Sequence, residues 1–394
     1  MERRVIHLNV ADFAVAVERR ADRRLGTRAV IVSPGGARSV VYDMSDEAYR
    51  DGVRKGMALG RAKRLVRTAA VVPPKPDLYE RAMKAFVRHV FPFSPLVEHG
   101  GWDGHVFLDV TGVRRLFGPP QDIAQRIRRS VARDMSLTPA WAVASNKLAS
   151  KVATRLVKPR GECVVGEGGE GRLVEPVPLR MLPGLLDSEI TRLRELNITR
   201  AGEARAFSMQ NLETLVGSRA RLLYEAVRGA DDSPVLAAGS VGDAAEADYA
   251  FNGDTNDVAV VESALRLCAE GIGRELRKKR LSAGSIVVTA DYCDGIRSTR
   301  RVALGPGSSN NGLFECALKG LRIAWSRRVR LRHIRLRGEG LRVVPVQLEL
   351  FGGRDEKALR DSALDSAVDS LLERFGKNAA MSGKCFLARP EQDV

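Results

Sequence analysis

Apolar and polar positions fall into two periods along this chain. The alternation in Val5 to Val10 predicts a buried strand, and Phe13 to Arg23 then carries apolar side chains at helical spacing, so a strand feeds a helix. Ala29 to Val32 and Ser39 to Tyr42 predict a short hairpin over Pro34-Gly35-Gly36, followed by a helix from Ser45 to Asp51 that stops at Gly52. Asp77 to Val90 has the stripe of an amphipathic helix, Val97 to Thr111 is strand-like around Gly100-Gly101, and another helix is expected near Pro120 to Asp134.

Pro234 to Gly242 is small and flexible in composition, as a tether between domains is. Beyond it come a strand from Ala247 to Phe251, a helix from Val258 to Lys279 and strands from Ser285 to Tyr292 and Arg297 to Leu304. A helix from Gly312 to Ser326 and strands from Arg328 to Arg337 and Leu341 to Val346 complete a βαββαβ-like order, and Ser362 to Phe375 adds an amphipathic helix in the tail.

Length and charge sharpen this picture. At 394 residues the chain exceeds one ordinary core and suits two to four modules. Its net charge of +16 favours a polyanion as partner, and residues 270–345 alone hold 17 Lys/Arg against 6 Asp/Glu. There Arg297, Arg300 and Arg301, with Arg328, Arg330 and Arg332, are expected to share one face of a sheet while Val329, Leu331 and Ile334 face the helices. Such a face can lie along duplex phosphates, and the lack of interleaved aromatics points to backbone contact without base readout. No run of about 18 apolar residues and no signal-peptide core is present, which places the chain in the cytoplasm, associated with the nucleoid, with no membrane partner. The five cysteines are scattered and never form CxxC, which fits reduced thiols.

Several segments carry a resemblance. IHLNVADFAVAVE, Ile6 to Glu18, has the shape that opens a Y-family (translesion) DNA polymerase; Val40 to Leu65 is similar to the fingers of that family, and Ala144 to Gly161, ASNKLASKVATRLVKPRG, matches its NKxxAKxAxxxxKPxG pattern. Leu182-Pro183-Gly184 with Ile190, Leu193, Leu196 and Gly202 resembles the helix-hairpin-helix of its thumb, although Leu186-Asp187 stands where a second glycine is usual. The implied fold is α+β and multidomain, a right-hand polymerase of palm (1–12 and 76–165), fingers (13–75) and thumb (166–236), then a linker (237–246) and an α+β little finger (247–346). A peptide (347–351) and a C-terminal tail (352–394) follow.

The resemblance also marks departures at the site. Asn9 stands where a metal-binding aspartate is implied, and the second carboxylate motif falls on Asp103-Gly104 in one register and Gly104-His105 in the other, so the glutamate is lost in both. A two-metal site needs charged oxygens, and one unit charge at about 4 Å in an effective dielectric near 20 is worth roughly 4 kcal/mol per cation charge. Asp109 corresponds to a structural aspartate, and Asp12 is expected to point elsewhere. Asp46 and Tyr49 replace the tyrosine and arginine that meet the triphosphate, and Ala14 replaces the aromatic that checks the sugar. Lys158 is the surviving phosphate candidate, and Lys147 and Lys151 are DNA-binding candidates.

Gln347-Leu348-Glu349-Leu350-Phe351 resembles the peptide with which bacterial polymerases dock on the sliding clamp; Leu350 and Phe351 would fill an apolar pocket, with Gln347 and Leu348 beside them. The reading is therefore a catalytically inactive, ImuB-type scaffold needing no cofactor, which binds primed or damaged double-stranded DNA and the clamp and recruits a DnaE-type error-prone polymerase and a RecA-like accessory protein. The alternative is an active translesion polymerase with a rearranged metal site, in which Asp103 helps bind Mg²⁺. A DNA-binding factor unrelated to the clamp, with that peptide buried in the fold, is the third reading.

Overall fold

The computed structural model describes residues 3–26, 28–36, 39–237, 244–305, 309–343, 356–376 and 379–388. The clamp-like peptide, with Gln347, Leu348, Leu350 and Phe351, lies outside them, as does most of the expected linker. The chain forms two compact units, Met1–Ser240 and Val241–Val394.

In the first unit the elements run β1 (Val5–Asn9), α1 (Phe13–Ala21), β2 (Val30–Val32), β3 (Asp43–Met44), α2 (Asp46–Arg50), α3 (Leu59–Leu65), β4 (Ala70–Val72) and α4 (Pro76–Val90). They continue as β5 (Val97–His99), β6 (His105–Asp109), α5 (Arg114–Phe117), α6 (Pro120–Met135), β7 (Ala140–Ala144), α7 (Lys147–Leu156) and β8 (Glu162–Val164). Five short helices close the unit: α8 (Glu170–Val174), α9 (Asp187–Glu195), α10 (Ala201–Arg205), α11 (Met209–Val216) and α12 (Ala220–Ala226). The main sheet has the order β5-β6-β1-β7-β8, with every residue of the central strand β1 buried. Helices α1, α4 and α6 cover it with Phe13, Tyr79, Met83, Phe86, Ile123 and Ile127, each almost wholly inaccessible.

A three-stranded sheet, β3-β2-β4, forms a separate small core around Ile31, Met44, Leu59 and Ala62. The expected hairpin is corrected here. Val30–Val32 pairs antiparallel with Asp43–Met44 and parallel with Ala70–Val72, while Val40 makes only an isolated bridge to Ala58. In the thumb-like segment, Gly184 turns with φ +83 ahead of α9, and its carbonyl accepts a hydrogen bond from Arg219. The Glu189 carboxylate accepts from the Leu186 amide, so the missing second glycine is replaced by a side-chain cap.

The second unit comprises β9 (Ala244–Thr255), α13 (Val258–Lys278), β10 (Leu281–Ser282), β11 (Ser285–Tyr292), β12 (Arg297–Ala303), α14 (Asn310–Ala324), β13 (Leu331–Glu339), β14 (Arg342–Val343) and α15 (Glu356–Phe375). Its sheet order is β12-β11-β13-β9, all antiparallel, with α13 and α14 packed on one face. The tail docks on this unit: Asp369 and Asp365 of α15 meet Arg277, and Cys385 is buried near α13.

The arginine face differs from expectation. Arg300 pairs with Val288, whose side chain is buried against α14, so it lies on the helix side of the edge strand; Arg297 and Arg301 lie on the other face. Arg328 and Arg330 precede β13 and belong to no strand. The open face instead adds Arg335 and Arg337, and acids answer most of its charge: Arg297 pairs with Asp291, Arg301 and Arg337 with Glu339, Arg335 with Glu246, and Arg332 with Asp254.

Candidate active site

The centre of the palm is the end of β1, where Asn9 sits directly opposite His105 of β6 and Ala140 of β7. Gly104 immediately precedes β6, so Asn9 faces the first residue of that strand. Val10 donates its amide to the Gly104 carbonyl at 3.0 Å, and the chain then turns through Asp12, at φ 48, into α1.

The polar groups at this centre form one connected chain. Thr154 of α7 donates its hydroxyl to the Ser150 carbonyl at 2.8 Å, so its oxygen is free to accept from His7 Nδ1 at 2.9 Å. His105 Nδ1 lies 3.1 Å from His7 Nε2, and Asn9 Nδ2 lies within hydrogen-bond reach of both His105 ring nitrogens, 3.0 Å from Nδ1 and 3.1 Å from Nε2. Both imidazoles are neutral. Burial first, then His105, Lys151, Lys158 and Arg155, holds His7 well below its ordinary value; burial, then Lys158, Lys151, Arg155 and Lys55, pushes His105 down to about 2. The chain ends on Asn9 Oδ1, which is buried and has no hydrogen-bond partner.

The nearby carboxylates are mostly committed. Asp43 is buried and accepts from the Ala14 amide at 3.0 Å, capping α1 from another strand, while its second oxygen pairs with Lys55 at 2.9 Å. Asp12 caps nothing, and burial, then Asp43, raises its carboxyl to about 6. Asp103 accepts from the His105 amide at 3.2 Å within its own turn, and Asp109, at the far end of β6, accepts from Thr111. Gly104 can carry no side chain, because a Cβ would lie 2.8 Å from the Phe13 Cβ and 2.9 Å from the Val10 carbonyl oxygen.

Two Mg²⁺ ions require several converging charged oxygens. Among the described residues no three His, Cys, Asp or Glu side chains group to hold a metal ion. Asn9 brings a neutral side-chain oxygen to this centre, buried and without a hydrogen-bond partner. The donor set does not fit a carboxylate-bridged metal pair, and Asp103, proposed as a ligand, is directed into its own turn.

Lys158 follows α7 and is shifted down to about 8, first by burial of its ammonium and then by Lys55 and Arg155. Lys151 lies 5.7 Å from the Phe107 ring, whereas Lys147 is tied to Glu98 at 2.6 Å rather than free for DNA. In the fingers, Asp46 pairs with Arg50, so its charge is neutralised, and the Arg54 guanidinium lies 3.8 Å over the Tyr49 ring. Arg54 thus returns a cation to the place where the sequence had lost one. A cleft of about 850 Å³ opens beside Asp12, rimmed by Arg20, Arg23, Arg50 and Arg160. Sequence patterns do not mark His7, Thr154, Asp43 or Arg155 for this site; the available signal for His7 is a polar residue inside a fully buried strand.

Two family descriptions match the chain: impB/mucB/samB over residues 8–155, and the impB/mucB/samB C-terminal domain over 247–350. Among curated proteins, DNA polymerase IV of Dehalococcoides mccartyi (strain CBDB1) is 30% identical over 392 residues, 98% of each chain. DNA polymerase IV of Desulfatibacillum aliphaticivorans is 28% identical over 383 residues, 95% of each. Among solved structures, a Y-family polymerase chimera of Dbh and Dpo4 superposes with a TM-score of 0.73 at 20% identity, covering 86% of this chain and 99% of that one. DinB from Sulfolobus solfataricus gives a TM-score of 0.59 at 20% identity over 87% of this chain and all of its own. These relatives overturn the expectation of a catalytically inactive, clamp-docked scaffold: proteins matched end to end bear the name of a polymerase, and they favour the alternative.

Proposed function

We infer that this chain, which belongs to the Y family of DNA polymerases, extends a primer on template DNA as a translesion polymerase with an altered palm. The observation that supports this is the end-to-end likeness, 98% of both chains, to proteins named DNA polymerase IV. Mg²⁺, when bound by such enzymes, supplies charge stabilisation to phosphoryl transfer; the donors at this palm do not form its usual cradle, so binding and orienting the substrate fall to the chain's own side chains.

Lys158 and Arg54 meet the phosphates of the incoming nucleotide. Ala14, small and buried, puts no ring against its sugar, so ribose and deoxyribose are weakly distinguished. Lys151 in the first unit and Arg297 and Arg301 in the second contact the DNA backbone, without sequence readout. The Gln347 to Phe351 peptide tethers the enzyme to the sliding clamp.

Primer extension with Mg²⁺ and with Mn²⁺, beside duplex binding over a salt series, tests the reading. Template-directed incorporation that is lost in Asp12→Asn or Asp103→Ala supports it and identifies the carboxylate in use. Intact, salt-sensitive duplex binding with no incorporation in either metal overturns it.

A further inference from the structure

β6 runs away from the palm centre, from His105 to Asp109, and its antiparallel partner β5 starts beside its far end, where the Asp109 amide donates to the Leu96 carbonyl at 3.1 Å. Two short connections meet there: residues 91–96, between α4 and β5, and residues 110–117, which end in α5. The rings of Phe93 and Phe117 join them, edge to face with centroids 5.3 Å apart. Arg126 of α6 ties the joint, donating to the Phe117 carbonyl with its guanidinium 5.4 Å over the Phe93 ring.

With Phe117 turned onto Phe93, its neighbour Leu116 faces water. Leu116 is 79% exposed, Phe91 52% and Leu96 40%. A polar residue at 116 would serve the fold equally. Single bared apolar side chains are ordinary on a surface, but these three stand on adjoining segments at one end of one sheet, as a docking patch does.

Charge at this end is one-sided. Over residues 88–96 and 109–126, Arg88, Arg114, Arg115 and Arg126 stand against two acids, Asp109 and Asp122. Asp109 is taken by Thr111 and Arg3. Arg88, Arg114 and Arg115 are exposed and, among the described residues, make no ion pair or side-chain hydrogen bond. DNA would answer these arginines but gain little from a bare leucine and phenylalanine, whereas an acidic protein segment with apolar anchors answers both.

We propose that this end of the main sheet docks an acidic segment of a partner protein, whose apolar anchors cover Leu116, Phe91 and Leu96 while its carboxylates meet Arg88, Arg114 and Arg115. The surface lies at the other end of β6 from the palm centre, so docking leaves that site open and does not depend on the polymerase reading.

The test is fluorescence anisotropy of the full chain with a labelled peptide in which two leucines and a phenylalanine are set among aspartates. Binding at low salt is expected, weakened roughly tenfold or more by Leu116→Ser, the size of one buried leucine. The double variant Arg114→Gln, Arg115→Gln should weaken it several-fold and flatten its salt dependence. Ile323→Ser, a bared aliphatic of the other unit, should change nothing. No binding of the peptide, or affinities unchanged in both variants, overturns the proposal. A short duplex that loses affinity in both variants as the peptide does would assign the face to DNA and overturn it as well.

Discussion

Replacing Gly104 by alanine tests whether geometry forbids a side chain at the second motif of the palm. The residue sits at φ +76, where a residue with a Cβ is disfavoured by about 1–2 kcal/mol. The added carbon would lie 2.8 Å from Phe13 Cβ, 2.9 Å from Phe13 Cδ2 and 2.9 Å from the Val10 carbonyl oxygen. Neither neighbour can retreat easily. Phe13 is 2% exposed within the main core, and Val10 is held by the hydrogen bond that its amide donates to the Gly104 carbonyl. Overpacking of this kind costs about 1–3 kcal/mol, so the two effects together reach about 2–5 kcal/mol. For a unit of this size each kcal/mol moves the midpoint by about 2–4 °C, and scanning calorimetry should show the transition of the first unit falling by about 4–20 °C. A fall of less than about 3 °C would refute the steric argument. Gly104→Asp inherits the same clash, so no single exchange there can supply a carboxylate.

Three further outcomes follow from buried groups. Asp12 has its folded-state carboxyl raised to about 6 from 3.8, so the folded protein binds that proton more tightly and loses stability as pH rises through this window; Asp12→Asn, tolerated at φ 48, should therefore raise the thermal midpoint at pH 8 but not at pH 4, and an equal effect at both pH values would contradict the assignment. Glu18 is 1% exposed and accepts from the Tyr79 hydroxyl at 2.8 Å and Lys75 at 2.7 Å; Glu18→Leu strands that buried hydroxyl and should cost about 1–3 kcal/mol in urea unfolding, whereas an unchanged midpoint would show the phenol finding another partner. Arg277→Met removes the contacts at 2.7 Å to Asp369 and 3.4 Å to Asp365; limited proteolysis should then cut within α15 faster than in the parent chain, and equal rates would place the anchor elsewhere, on the buried Leu372.

Much of the architecture is legible wherever one element reports its own burial. The Val5 to Asn9 run, the stripe of α4 and the long α13 lie close to where periodicity puts them. The small sheet escapes that kind of reading because β3 has only two residues and the parallel partner of β2 lies some 40 positions away, where no turn signal links them. The arginine strands depart from expectation for a related reason. Arg300 and Arg301 are adjacent, so they cannot share a face, and the acids that answer the open-face arginines come from cross-strand neighbours such as Glu246 and Asp291. A surplus counted along the sequence overstates the charge such a face presents.

The palm shows how a site can depart from its family without leaving a defect in the fold. Exchanging Asp for Asn at position 9 alone would leave an amide among groups arranged for a carboxylate. In this chain His105 stands opposite it, His7 stands behind, and Thr154 of α7 meets His7 Nδ1, so these neutral residues share one connected chain. The surrounding lysines and arginines belong to the same arrangement. Burial first, and then their field, keeps both imidazoles uncharged, so no charged imidazole lies among those cations. A carboxylate placed at Asn9 would disturb all of this at once, drawing a proton onto His105 and competing with any phosphate for the same cations.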